Sequence, residues 1–270
     1  MLAQRFATAA VGIPIVLAVT FIGGPLFTAV AGLILSLAAL EFIHMLDSKA
    51  RGRPLWQPTP AALVAIAGVV AIAIGADNGV DYWTAALVAG VGLALLYIMA
   101  LSTVDDAPAN WLAIVGAVAY VGFLGSYLVL LRDLDKGEHW LLLAVLGTWA
   151  TDTCAYAVGK AVGRHKMAPR ISPGKTWEGT IGALAGGFFA IPLLNWPLDL
   201  PMSTGEALFL GALLPTAAVL ADLGESMLKR GAGVKDASEL VPGHGGFLDR
   251  LDSILFTVPL VFYFAVWVVL

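Results

Sequence analysis

Apolar residues run along this 270-residue chain in nine long blocks, separated by short breaks rich in Gly, Pro and Asp. The blocks cover roughly 6–22, 25–43, 60–76, 82–102, 110–131, 140–159, 177–196, 206–228 and 251–270. About 20 apolar residues in a helix cross the hydrocarbon core of a bilayer, and each block has that scale. The breaks carry turn chemistry. Gly23-Gly24-Pro25 parts the first two blocks, Pro58 and Pro60 open the third, and Asp77-Asn78-Gly79 and Asp105-Asp106-Ala107-Pro108 flank the fourth. The pattern predicts an all-α, polytopic integral membrane protein of about nine transmembrane helices. It reads as one membrane domain over 1–270, with N-terminal helices through 76, middle helices over 77–139, and C-terminal helices and loops over 140–270.

Composition agrees with that reading. Hydrophobic residues make up 59% of the chain and charged residues 13%, where a soluble domain has about half and about a quarter. The first block follows a single Arg5 and is expected to be an uncleaved span. The one cysteine, Cys154, excludes an intrachain disulfide and a Cys-based zinc site, and is expected to be a small buried residue. Net charge is only −4, so its distribution says more than its sum. With nine alternating spans, the connections on the N-terminal side hold thirteen of the fifteen Lys and Arg residues, leaving Arg132 and Lys136 opposite. Cytoplasmic loops collect positive charge, so the N-terminus is expected in the cytoplasm and the C-terminus outside. Glycines at helical spacing, Gly179/Ala183/Gly187, Gly182/Gly186 and Gly122 beside Gly125 and Ser126, predict closely packed helices.

The remaining charge is concentrated. Residues 222–253 read DLGESMLKRGAGVKDASELVPGHGGFLDRLDS. Carboxylates near membrane depth are costly and mark function. Asp222 and Glu225 share a helix face, as do Asp249 and Asp252. Such oxygen-rich faces suit Mg²⁺, which takes one or two carboxylates plus waters and substrate phosphates. Lys229, Arg230, Lys235 and Arg250 surround these acids; a site for metal plus polyphosphate needs such cations, a bare metal cage does not. The glycines of Pro242-Gly243-His244-Gly245-Gly246 permit an anion-binding nest of backbone N–H groups, or a merely flexible turn.

Two further constellations stand out. In Ser172-Pro173-Gly174-Lys175-Thr176-Trp177-Glu178-Gly179, the Gly-Lys-Thr is not a P-loop, because Pro169 occupies the position of the first glycine. Thr176 or Ser172 is placed to cap the following helix, whose N-terminus favours phosphate. In Thr151-Asp152-Thr153-Cys154-Ala155-Tyr156, Asp152 and Tyr156 share a face, and Asp152 is either a site residue or a helix-packing hydrogen-bond partner. His44, His139 and His165 lie at loop edges and are expected to be solvated, as are Asp133, Asp135 and Glu138; His244 differs by its flanking glycines and Asp249.

These stretches together resemble the phosphatidate cytidylyltransferase (CDP-diacylglycerol synthase) family over roughly 148–253. Ser226, Lys229, Arg230, Lys235, Asp236, Pro242, Gly243, His244, Gly245, Gly246, Asp249, Arg250 and Asp252 match its C-terminal pattern. The segment from Ser172 matches a second pattern, with Gly174 standing where that family has a lysine. The resemblance implies transfer of CMP from CTP to phosphatidate. On this reading Asp222, Asp249, Lys229 and Arg250 are the expected catalytic residues. Asp222, Asp249, Asp152 and Asp252 are the expected ligands of Mg²⁺, with a second, monovalent ion left open. Ser172, Lys175, Lys229, Arg230, Lys235, Asp236, His244, Gly245, Gly246, Arg250 and Asp152 would bind substrate. The expected partners are CTP, phosphatidate and membrane lipids, with a homodimer compatible with the glycine-rich spans and no nucleic acid. A CTP-dependent lipid kinase and an ion-coupled transporter are the alternative readings.

Overall fold

The computed structural model describes residues 2–47, 53–241, 243 and 245–270, with residues 2–9 and 11 described by backbone alone. The chain is helical almost throughout. Helices α1 (Leu2–Ile22), α2 (Gly24–Leu46), α3 (Pro60–Asn78), α4 (Val80–Leu101), α5 (Ala107–Arg132) and α6 (Gly137–Val162) come first. A two-stranded hairpin, β1 (Lys166–Ala168) and β2 (Ser172–Thr176), follows. Then come α7 (Trp177–Leu198), α8 (Thr204–Gly231), a single turn α9 (Leu248–Leu251) and α10 (Ile254–Phe264). Among the described residues eight segments are long and apolar enough to cross a membrane, the last being Leu248–Val269, and α1 adds a shorter apolar stretch, Gly12–Ile22. The protein is therefore all-α and polytopic; the first eight expected blocks match α1 to α8, the fourth ending one residue past α4, whereas the last, 251–270, is interrupted at Asp252-Ser253 before α10 and closes in a π-helical stretch over Ala265–Val269.

The helix starts follow local chemistry. Thr59 caps α3 ahead of Pro60, its Oγ1 accepting from Ala62 N. Ser203 and Glu206 form a reciprocal capping box at α8. Thr176, one of the two expected caps, accepts from Gly179 N at the start of α7.

The chain forms two compact units. The first comprises residues 1–133 and 234–251. Its interior is built from Leu35, Ile43, Ile72, Ile114 and Leu131, all fully buried. Gly122 and Gly125 of α5 meet Val69 and Leu35 so closely that a methyl group at Gly125 would lie 2.2 Å from Leu35 Cδ2. Within α5 the turn widens to π-helical geometry over Ala117–Phe123. Just beyond it Ser126 Oγ donates to Phe123 O (2.7 Å) and accepts from Trp83 Nε1 (2.8 Å), while the Trp83 and Phe123 rings stack at 4.7 Å.

The second unit comprises residues 134–233 and 252–270. Trp140, Leu143, Ile191, Leu210 and Leu214 form its interior. The predicted glycines of α7 are contact points within this unit. A methyl at Gly186 would lie 2.5 Å from Cys154 Sγ, at Gly182 2.6 Å from Val158, and at Gly187 2.7 Å from Pro215. Small residues there let the helix backbones approach. Cys154 is partly buried against this face. Large apolar side chains such as Phe189, Leu193, Trp196, Val88 and Met99 point outward, as a chain with lipid for solvent requires.

Candidate active site

In the second unit the chemistry gathers on one stripe of α8. Asp222, Glu225, Ser226 and Lys229 recur at three- and four-residue intervals, which places them on one helix face. Glu225 and Lys229 are both buried and form an ion pair at 3.0 Å. Asp222 is half-buried; its Oδ1 receives a long hydrogen bond from Ser226 (3.3 Å) and its Oδ2 an ion pair from Lys175 Nζ (2.6 Å). Lys175 arrives on the β1–β2 hairpin, whose register pairs Lys166 with Thr176 and Ala168 with Ser172. Arg230, exposed at the end of α8, donates from Nε to Ile171 O beside that hairpin (3.2 Å). Two expected phosphate-binding lysines thus stand against carboxylates.

Glu178 holds the hairpin's other side. It accepts from Arg164 N (3.1 Å), from His165 N and from His165 Nδ1 (2.6 Å), while Trp177 N donates to His165 O (2.9 Å). Ser172 is half-buried in β2. Asp152 is exposed on α6, as is Tyr156, and Asp252 is half-buried at the break before α10. His165 is exposed, as expected, although it pairs with Glu178. His44 departs from expectation: it is half-buried within α2, because that helix runs through Leu46 and no loop edge falls there.

In the first unit, the segment after α8 folds back on itself. Val241 N donates to Gly245 O (2.8 Å), and Gly243 and Gly245 adopt φ of +76° and +84°, where only glycine is unstrained. Asp249, buried, accepts at Oδ2 from Ala237 N (2.9 Å) and Gly246 N (2.8 Å). The Gly246 N–H, expected to face an anion, is thus engaged by Asp249. Lys235, Asp236 and Arg250 are exposed. His244 and Pro242 lie outside the described residues, as do Lys49 and Arg51 of the positive-charge count.

One residue was missed entirely. Glu41 of α2 is fully buried, and its carboxylate accepts from Ser238 Oγ (2.6 Å), Phe247 N (3.0 Å) and Leu248 N (2.8 Å). An ionisable group inside an apolar span was the signal that could have found it.

No three acidic, His or Cys side chains converge on a metal-sized position among the described residues. Mg²⁺ asks for less, since it keeps waters and phosphate oxygens around one or two carboxylates. Asp222, partly accessible and with one oxygen held only weakly, fits such a role.

A polytopic helical membrane protein with two carboxylates and a lysine on one helix face, and a glycine-rich acidic loop, defines a class that handles a charged substrate at a membrane. Its family follows from comparison with known proteins. The family model described as "Cytidylyltransferase family" matches residues 3–268, so the chain belongs to the cytidylyltransferase family. A phosphatidate cytidylyltransferase of Synechocystis is 32% identical, over 97% of this chain and 96% of that protein. One of Pseudomonas aeruginosa is 34% identical, over 99% of this chain and 97% of that protein. A third, from Haemophilus influenzae, is 44% identical over 49% of this chain and 48% of that protein.

Proposed function

We propose that the chain transfers CMP from CTP to phosphatidate, forming CDP-diacylglycerol and releasing pyrophosphate. The observation that carries this is the full-length similarity to relatives bearing that activity as their name, together with family membership. The chemistry asks little of a nucleophile. The lipid's phosphate monoester is itself the attacking group: one of its oxygens bonds to the α-phosphorus of CTP as the bond to pyrophosphate breaks. Positioning and charge neutralisation then supply the rate enhancement.

In this reading Lys175, presented by the hairpin, moves between Asp222 and the triphosphate, because an ammonium on a flexible stem exchanges partners readily. Lys229, Arg230, Lys235 and Arg250 bind phosphate groups, with Ser172, Asp152, Asp236, His244, Gly245 and Gly246 contributing to substrate binding. Asp222 and Asp249 are the assigned Mg²⁺ ligands, with Asp152 and Asp252 in support. Bound Mg²⁺ would neutralise phosphate charge and stabilise the leaving pyrophosphate. The loop charges favour a reaction at the cytoplasmic face of the cell membrane. The α7 glycines are occupied by contacts within the chain, so self-association in this reading uses other faces.

The test is stoichiometry. Purified protein given CTP, phosphatidate and Mg²⁺ in mixed micelles should release one pyrophosphate for each CDP-diacylglycerol. Release of CDP without pyrophosphate would identify a CTP-dependent lipid kinase instead, and flux of solute into liposomes without CTP turnover would identify a transporter.

A further inference from the structure

The described part of the acidic loop in the first unit, Val234–Leu251, is held from two sides. From within, Asp249 gathers Ala237 N and Gly246 N onto one oxygen. From outside the segment, Glu41 of α2 gathers Ser238 Oγ and the N–H groups of Phe247 and Leu248. Those two N–H groups open the turn α9, where a helix start leaves donors without intrahelical partners. Glu41 therefore acts as an N-cap supplied by a residue far away in sequence. Ser238 Oγ in turn accepts from Leu240 N (3.1 Å), which ties the near end of the loop to the same carboxylate.

The packing around Glu41 leaves no slack. A methyl at Gly246 would lie 2.5 Å from Glu41 Oε2 and 2.7 Å from Oε1. Gly246 is thus a close-approach glycine: its missing side chain is what lets the carboxylate reach Phe247 and Leu248. Glu41 is fully buried, so it is placed to hold the turn rather than to meet substrate. A buried carboxylate in a membrane span is expensive unless its partners are fixed, and here all three named donors come from one loop.

We infer that Glu41 is a positioning residue of the reaction: its carboxylate clamps Ser238, Phe247 and Leu248 together and so sets the orientation of Asp249 and Arg250. This rests on the role given to Asp249 above. It also gives α2 a part in the reaction, carried by its one acidic residue.

The test compares Glu41→Gln, Ser238→Ala and Asp249→Asn in the full chain, purified in detergent. Glu41→Gln keeps the shape but turns a donor-bearing amide toward an N–H. The expected result is a kcat lower by about 10- to 100-fold, the range for losing the partner that orients a ligand. The KM for CTP stays within about threefold, and half-saturation by Mg²⁺ moves to several-fold higher concentration. Independently of activity, amide hydrogen exchange at Phe247 and Leu248 should speed up at least about tenfold while the core of α2 stays protected. Ser238→Ala, on the half-buried rim, should fold normally and show a smaller shift in the same direction. If Glu41→Gln folds with wild-type kcat and Mg²⁺ dependence, the clamp is overturned. If it unfolds and Ser238→Ala is wild-type in every readout, Glu41 serves the fold alone and the inference is likewise overturned. Full activity in Asp249→Asn overturns the role of Asp249 whatever Glu41 does, whereas an inactive Asp249→Asn beside a fully active Glu41→Gln overturns only the clamp.

Discussion

At the scale of single residues, the Lys175–Asp222 pair sets the sharpest expectations. The two groups are 2.6 Å apart, with side-chain exposures of 22% and 33%, but the Lys175 Nζ itself is buried, so the pair must open for the lysine to meet a phosphate. Asp222→Asn keeps the shape and the Ser226 contact but loses the charge; kcat should fall by about 100-fold or more, as when a preorganised electrostatic partner is removed. Lys175→Ala should raise the KM for CTP about 10-fold or more, because a hydrogen bond to a charged group contributes about 1.5–3 kcal/mol. Steady-state kinetics on both variants checks these, and near-wild-type turnover in Asp222→Asn would remove it from the site. The acids were legible in the sequence because charge is rare in apolar runs. Their pairings were not. That Lys175 meets Asp222, or that Gly246 makes room for Glu41, depends on which helices become neighbours, and no spacing within a motif encodes that.

At the scale of elements, the spans were readable and the hairpin was not. Twenty apolar residues in a row have one cheap solution in lipid, a helix that satisfies its own backbone. Strand β2 reads Ser-Pro-Gly-Lys-Thr, with no alternation of apolar and polar residues to announce a strand. Its order comes from outside: Glu178 fastens Arg164 N and His165, and Arg230 fastens Ile171 O. Glu178→Gln should therefore loosen the hairpin and lower kcat/KM by about tenfold with helix content unchanged, since the Thr176 cap survives. Circular dichroism beside kinetics separates those outcomes. Glycines supply the stability counterpart. Gly186→Val must push against Cys154 and should cost about 1–3 kcal/mol, seen as a lower Tm. Gly174→Ala meets nothing within 4 Å and should leave Tm unchanged.

At the scale of the whole chain, the membrane and the metal set the expectations. Chelation of divalent cations should abolish turnover, and Mg²⁺ should restore it where Ca²⁺ does not, since the larger ion tolerates looser geometry and longer bonds than phosphoryl transfer here would use. The proposed orientation rests on the loops. Lys160, Arg164, Lys166, Arg170 and Lys175 crowd one connection, and with nine alternating spans only Arg132 and Lys136 would lie on the opposite side. Because Cys154 is the sole cysteine, Cys154→Ser gives a background free of thiols. Into it a single cysteine can be placed at Gly174, open in the hairpin, or at Asp135, exposed between α5 and α6. A membrane-impermeant thiol reagent should label the Gly174→Cys variant in inside-out vesicles and the Asp135→Cys variant in right-side-out cells. The reverse pattern would turn the protein over and move the hairpin, with Lys175, away from cytosolic CTP. Labelling of both positions from one side would instead break the alternation of spans, and with it the charge count on which the orientation stands.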